Sequence, residues 1–164
     1  VTRTQKRETE NGSVFLLLIG LLLLGGAGVG VYETVRGLRN NNPGNIKYNA
    51  ANSWQGQVGQ DSGGFVIFDT MVDGVRALAK ILDNYGAAGY NTVQAIISRF
   101  SATDQSAYIA NVSAALNVDP TTVLDMTNTD TITNLVNAIT TQENGFNPLS
   151  AATITAGVSS AMNA

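Results

Sequence analysis

Eighteen consecutive residues, Val14 to Val31, carry no charge and read Val-Phe-Leu-Leu-Leu-Ile-Gly-Leu-Leu-Leu-Leu-Gly-Gly-Ala-Gly-Val-Gly-Val. A segment this apolar, without polar punctuation, cannot serve as the amphipathic surface helix of a small domain. As a helix it would measure roughly 27 Å at ~1.5 Å per residue. That just crosses a ~30 Å hydrocarbon core if Tyr32 and the Gly12-Ser13 flank sit at the interfaces. The expected organisation is a tail over 1–13, a transmembrane anchor over 14–32 and a folded domain over 33–164. A cleaved signal peptide and a buried core helix are the alternatives, the basic head fitting the first. Arg3, Lys6 and Arg7 before the run, and Arg36 and Arg39 after it, weakly favour a cytoplasmic N-terminus with the domain on the far side. Gly26 and Gly30 form a small-residue pair of the kind that lets helices pack closely in a bilayer.

The domain reads as mainly helical with a small β-region. Asn45–Tyr48, Trp54–Val58 and Phe65–Asp69 are short, aromatic or β-branched and bounded by Asn, Ser and Gly, which predicts strands. Thr70 to Tyr85 predicts a helix with Val75, Leu78, Ala79 and Leu82 on one stripe. Thr92 to Phe100 predicts a second. A third, capped by Asp104, buries Tyr108, Ile109, Val112 and Leu116. Asn117-Val-Asp-Pro120 predicts a short helix through Met126, with Pro at its first position. The helix over 130–143 and a final one from Ser150 to Met162 complete the chain.

The helix over 130–143 matters most for chemistry. Ile132, Leu135, Val136 and Ile139 follow the i, i+3, i+4, i+7 rhythm of a buried face, and Glu143 continues that line four residues later. Gly145 and Pro148 stop the helix just beyond it. A carboxylate on an apolar stripe is expected to favour its neutral form through desolvation, as a general acid requires. The other reading is a Glu that simply turns outward at a helix end. The chain contains no His and no Cys, so His-based acid–base chemistry, thiol nucleophiles and Cys/His zinc sites are excluded. No cofactor or metal site is expected. A net charge of -3 with 13% charged residues gives no basic face for nucleic acid.

Several other residues are candidates. Asn40-Asn-Asn-Pro-Gly-Asn45 is turn chemistry, but its amides, Asn42 and Asn45 above all, also suit sugar hydroxyl and N-acetyl groups. Tyr48 and Trp54 could stack on sugar rings, although a lone Trp is more often core. Asp61, in a Ser/Gly turn, could hold a water as a second carboxylate, or be a solvated turn residue. Glu33 is a further candidate acid, seven residues ahead of the asparagine block.

Glu143-Asn-Gly-Phe-Asn-Pro-Leu-Ser-Ala resembles the Glu-Ser-x-Phe-x-Pro-x-Ala signature of lytic transglycosylases in the lysozyme-like superfamily. Arg36-Gly-Leu-Arg-Asn-Asn-Asn-Pro-Gly-Asn-Ile-Lys47 is similar to the opening of a phage and prophage virion-protein family with a lysozyme-like domain. Asn41 to Lys47, with Trp54-Gln-Gly56, also resembles elements of cell-wall glucosaminidases, where the Glu precedes the asparagine block rather than following it. The resemblance covers most of Arg36 to Ala164. It implies a lysozyme-like fold and a membrane-anchored, virion-associated enzyme that cleaves the bond between N-acetylmuramic acid and N-acetylglucosamine. Glu143 would be the acid, with Asn42, Asn45, Tyr48 and Trp54 binding substrate. The implied partners are peptidoglycan, a lipid membrane and other virion membrane or capsid proteins. The implied location is the virion membrane of a membrane-containing phage, or the host inner membrane with the domain on the non-cytoplasmic side. A transglycosylase needs one acid, whereas hydrolysis would pair Glu143 with a residue such as Asp61. The alternative is a non-enzymatic structural membrane protein of a phage particle with a degenerate lysozyme-like domain.

Overall fold

The computed structural model describes residues 35–102 and 105–164. The expectations placed on the tail at 1–13, the anchor at 14–32, Glu33 and the Asp104 cap lie outside the described residues. Among the described residues, no helix is long and apolar enough to cross a membrane. The expected fold class, a helical domain preceded by a transmembrane helix, is corrected accordingly: what is found is a mainly helical domain with a small two-stranded sheet.

A short helix, α1 (Arg36–Arg39), leads into the asparagine-rich loop. The strands β1 (Gln57–Gln60) and β2 (Val66–Phe68) follow, then α2 (Met71–Ala87), α3 (Val93–Phe100), α4 (Gln105–Leu116), α5 (Thr129–Asn144) and α6 (Ala151–Met162). β1 and β2 pair antiparallel, with Gln57 opposite Phe68 and Gln60 opposite Val66, and a bulge between Gln57 and Gly59. Three expectations change here. Asn45–Tyr48 contributes a single bridge, Lys47 to Phe65, rather than a strand. Trp54 precedes β1 instead of opening it. Residues 120–126 form no helix, because their backbone is used elsewhere: Pro120 accepts from the Gln94 amide, Leu124 donates to Asn91, and Val123 bridges Thr92. Paired laterally in this way, the segment cannot also close the i to i−4 ladder.

The helices begin where their caps place them. Thr70, Thr92, Asn128 and Ser150 each turn a side-chain oxygen onto a backbone N–H of the following first turn. Each such cap is worth about 1 kcal/mol relative to Ala. The core is one cluster in which Leu78 and Leu82 of α2, Ile96 and Ile97 of α3, and Ile132, Leu135 and Ile139 of α5 have no exposure. Burying each contributes roughly 1.5–3 kcal/mol against the chain's entropy. α6 lies along α2, and Gly157 permits the approach, since a Cβ there would collide with the Val75 side chain. Gly74 of α2 lets the Asn41 carbonyl touch that helix. The asparagine loop is thereby seated against the helical core, within reach of the end of α5.

Candidate active site

The loop from Asn40 to Asn45 is built by its own amides. Asn41 and Asn45 adopt left-handed φ values of 51° and 46°, a region Asn tolerates better than most residues. Asn42 is fully buried. Its amide donates to the carbonyls of Ile46 and Val66, each at 2.9 Å, and its oxygen accepts from the Ile46 N–H at 2.8 Å. Asn41 donates to the carbonyls of Phe68 and Asp69. The nearly buried Asn40 donates to Asp61 Oδ2 at 2.8 Å. These three asparagines fasten the loop to the hairpin. The Asn42 amide, a candidate sugar ligand by sequence, has both its nitrogen and its oxygen engaged inside the fold.

Asn45 faces the other way. Its Nδ2 donates to Glu143 Oε2 at 3.1 Å and to the Glu143 carbonyl at 3.3 Å. Glu143 occupies the last turn of α5, which ends where Gly145 takes a left-handed φ of 78°. The carboxylate is half-buried. Its second oxygen, Oε1, accepts from the Tyr108 hydroxyl of α4 at 2.9 Å. Asn144 beside it donates to the Pro43 carbonyl at 2.8 Å and to Thr140 one turn back. The end of α5 and the tip of the loop are therefore tied through two adjacent residues.

Tyr108 is 5% exposed, with its ring edge-on to Phe100 at 6.4 Å between centroids. Burial pushes its hydroxyl well above the usual tyrosine range, and the neighbouring Glu143 charge and hydrogen bond push it further. The hydroxyl therefore stays protonated and acts only as a donor toward the carboxylate. A hydrogen bond to a charged group is worth about 1.5–3 kcal/mol. By periodicity alone Tyr108 belongs to a buried face and has no role. The available signal was chemical: a hydroxyl on an apolar helix stripe needs a partner when buried. Asn45 Oδ1, Asn144 Oδ1 and Thr140 Oγ1, on the residues around this carboxylate, are buried and have no hydrogen-bond partner among the described residues.

Asp61 has different surroundings. Its side chain is 11% exposed and lies 3.6 Å from Arg36 and 3.7 Å from Arg39. Oδ1 accepts from the N–H groups of Gly63 and Phe65. The Phe65 N–H, then the Asn40 amide, with smaller help from Gly63 and the Arg36 charge, hold its carboxyl below the usual aspartate value against a desolvation cost. Both oxygens are engaged, one by the hairpin turn and the other by Asn40 and the arginines, which leaves Asp61 poorly placed to hold a water opposite Glu143.

Tyr48 and Trp54 lie together on a cleft of about 690 Å³, along with Tyr85 and Asn84 of α2 and Asn49 and Asn52. Glu143, Asn42 and Asn45 are not among its lining residues. Asn45 and the cleft wall at Ile46–Tyr48 are nevertheless consecutive in the chain, so the loop that holds the carboxylate continues directly into the cleft.

No family model matches the chain. Protein P5 of Pseudoalteromonas phage PM2 is 32% identical over 122 residues, which span 72% of this chain and 76% of P5.

Proposed function

The chain belongs to the family of Protein P5 of Pseudoalteromonas phage PM2, and on that premise we propose that it is a component of a phage particle whose domain cleaves peptidoglycan. One observation carries this reading: the Glu143 carboxylate is held at the end of α5 between the Tyr108 hydroxyl and the amide of Asn45, each donating to one of its oxygens. In a chain without His or Cys, a positioned carboxylate is the natural proton carrier.

Protonated Glu143 gives its proton to the glycosidic oxygen between N-acetylmuramic acid and N-acetylglucosamine, and that C–O bond breaks. The carboxylate then takes the proton of the muramoyl 6-hydroxyl as its oxygen closes on C1, giving a 1,6-anhydro end and restoring the acid. No water is consumed and no second carboxylate takes part, which suits a site where Asp61 is engaged by the hairpin. Asn45 fits both halves of the cycle. Its amide donates to the carboxylate and, turned over, accepts from the acid.

Loss of clearing of purified cell walls by Glu143→Gln, with the melting temperature retained, is the expected result. Clearing that survives the substitution rules the assignment out. A second reading, a non-enzymatic part of the particle, is favoured by the bonds that join Glu143 and Asn144 to the 43–45 loop, since a purely structural Glu would make the same ties. That reading requires stoichiometric presence in the particle with no wall fragments released.

A further inference from the structure

The cleft bearing Tyr48, Trp54 and Tyr85 has a chemistry of its own. At about 690 Å³ it falls within the ~300–1,000 Å³ range of small-ligand sites. Three aromatic side chains line it, and the polar lining beyond backbone is mostly neutral amide: Asn49, Asn52 and Asn84. No carboxylate is among the lining residues. The one cation, Lys47, is drawn aside, with its Nζ donating to the Gly63 carbonyl at 2.9 Å and sitting 3.7 Å from the centre of the Phe65 ring.

The aromatic side is already arranged. Tyr85 stands edge-on to Tyr90 at 6.1 Å, and the Arg99 guanidinium lies 5.8 Å from the Tyr85 ring and 5.0 Å from that of Tyr90. A ring fixed in this way loses little freedom when a ligand stacks on it. Tyr48 is 38% exposed. Trp54 Nε1, a donor with no accepting capacity, is buried without a partner among the described residues. Aromatic faces receive the apolar C–H faces of pyranose rings, and amides pair with hydroxyl and acetamido groups. A cationic ligand would find no counter-charge here.

We propose that this cleft binds a neutral oligosaccharide carrying N-acetyl groups, stacked on Tyr48, Trp54 and Tyr85 and hydrogen-bonded by Asn84 and the 49–52 loop, independently of turnover at Glu143. The choice of an N-acetylated sugar rests on the peptidoglycan reading; the aromatic and amide character of the site does not.

The chain has a single tryptophan, so its emission reports directly on this cleft. Full-length Glu143→Gln is titrated with the β-1,4 tetramer of N-acetylglucosamine and, in parallel, with the matching glucose tetramer. A saturable emission change is expected for the N-acetylated tetramer, with affinity at least tenfold weaker for the glucose tetramer. Asn84→Ala, at an exposed position, is expected to weaken binding at least tenfold at unchanged melting temperature, and Tyr85→Ala to weaken it at least tenfold with a lowered melting temperature, since its ring packs on the core. No saturable change, equal affinity for both tetramers, or unaltered affinity in the folded Asn84→Ala variant overturns the proposal. Wall clearing by the wild type without any tetramer response removes this site and leaves the Glu143 reading standing. A tetramer response without clearing removes that reading and leaves the site.

Discussion

Glu143 and Asp61 are both acids held by an asparagine of the same loop, Asn45 for one and Asn40 for the other. Five positions separate those asparagines, yet they place their carboxylates in opposite circumstances. Asp61 accepts two backbone N–H groups and the Asn40 amide, and lies beside two arginines. Such a set fixes an anion and joins a turn to a helix. Glu143 accepts only from neutral groups, the Tyr108 hydroxyl and the Asn45 amide, and has no ion pair among the described residues. The difference teaches that one loop can hold one acid among arginines and backbone N–H groups and another among neutral donors alone.

Substitutions sharpen or break the contrast. Glu143→Gln should lower the rate of wall clearing by about 10²–10⁴, the span that positioned acid–base groups contribute. Thermal melting of the same variant should be little changed, because Gln keeps an acceptor for Tyr108. Asn42→Ala tests the loop itself. It removes the Asn42 oxygen that the Ile46 N–H donates to and the amide that reaches the Ile46 and Val66 carbonyls, the former of which keeps the Val66 N–H, so denaturant titration should show a loss of about 1–3 kcal/mol. Tyr108→Phe removes one donor and no ring, and should slow clearing about tenfold, or ~1.4 kcal/mol in the barrier, with binding of wall fragments retained.

Asp61→Asn should leave clearing intact and act on stability alone. The Asp61 carboxyl is lowered in the folded state. Its stabilisation is therefore fully present above the unfolded value of about 3.9 and is lost as pH falls from there through the lowered folded value. Melting curves of the wild type should fall through that window, and those of Asp61→Asn should fall less. If Asp61→Asn abolished clearing while the fold survived, the two acids would not differ in the way described.

The periodic parts of the chain were the most readable. α2, α3, α5 and α6 start and stop within two residues of their expected bounds, because apolar stripes and Thr, Asn or Ser caps are local signals. The segment 120–126 was misread because its Pro-led opening looks helical until lateral pairing with residues 91–94 is known, and such pairing leaves no local trace. The asparagine block showed the same limit. Sequence could say that amides were concentrated there, but not that Asn40, Asn41 and Asn42 fasten the hairpin while Asn45 alone reaches Glu143. Tyr108 is legible as a buried-face residue but not as the partner of Glu143, because a buried tyrosine and a buried phenylalanine give the same periodicity, and only the position of the hydroxyl separates them.

The most direct measurement is mass spectrometry of muropeptides released from purified walls by the wild-type chain and by Glu143→Gln. Fragments with 1,6-anhydro ends, lighter by one water than hydrolysed ends, should appear with the wild type and be absent with the variant. Equal release by both proteins, or fragments bearing only hydrolysed ends, would contradict a single-carboxylate transglycosylase centred on Glu143.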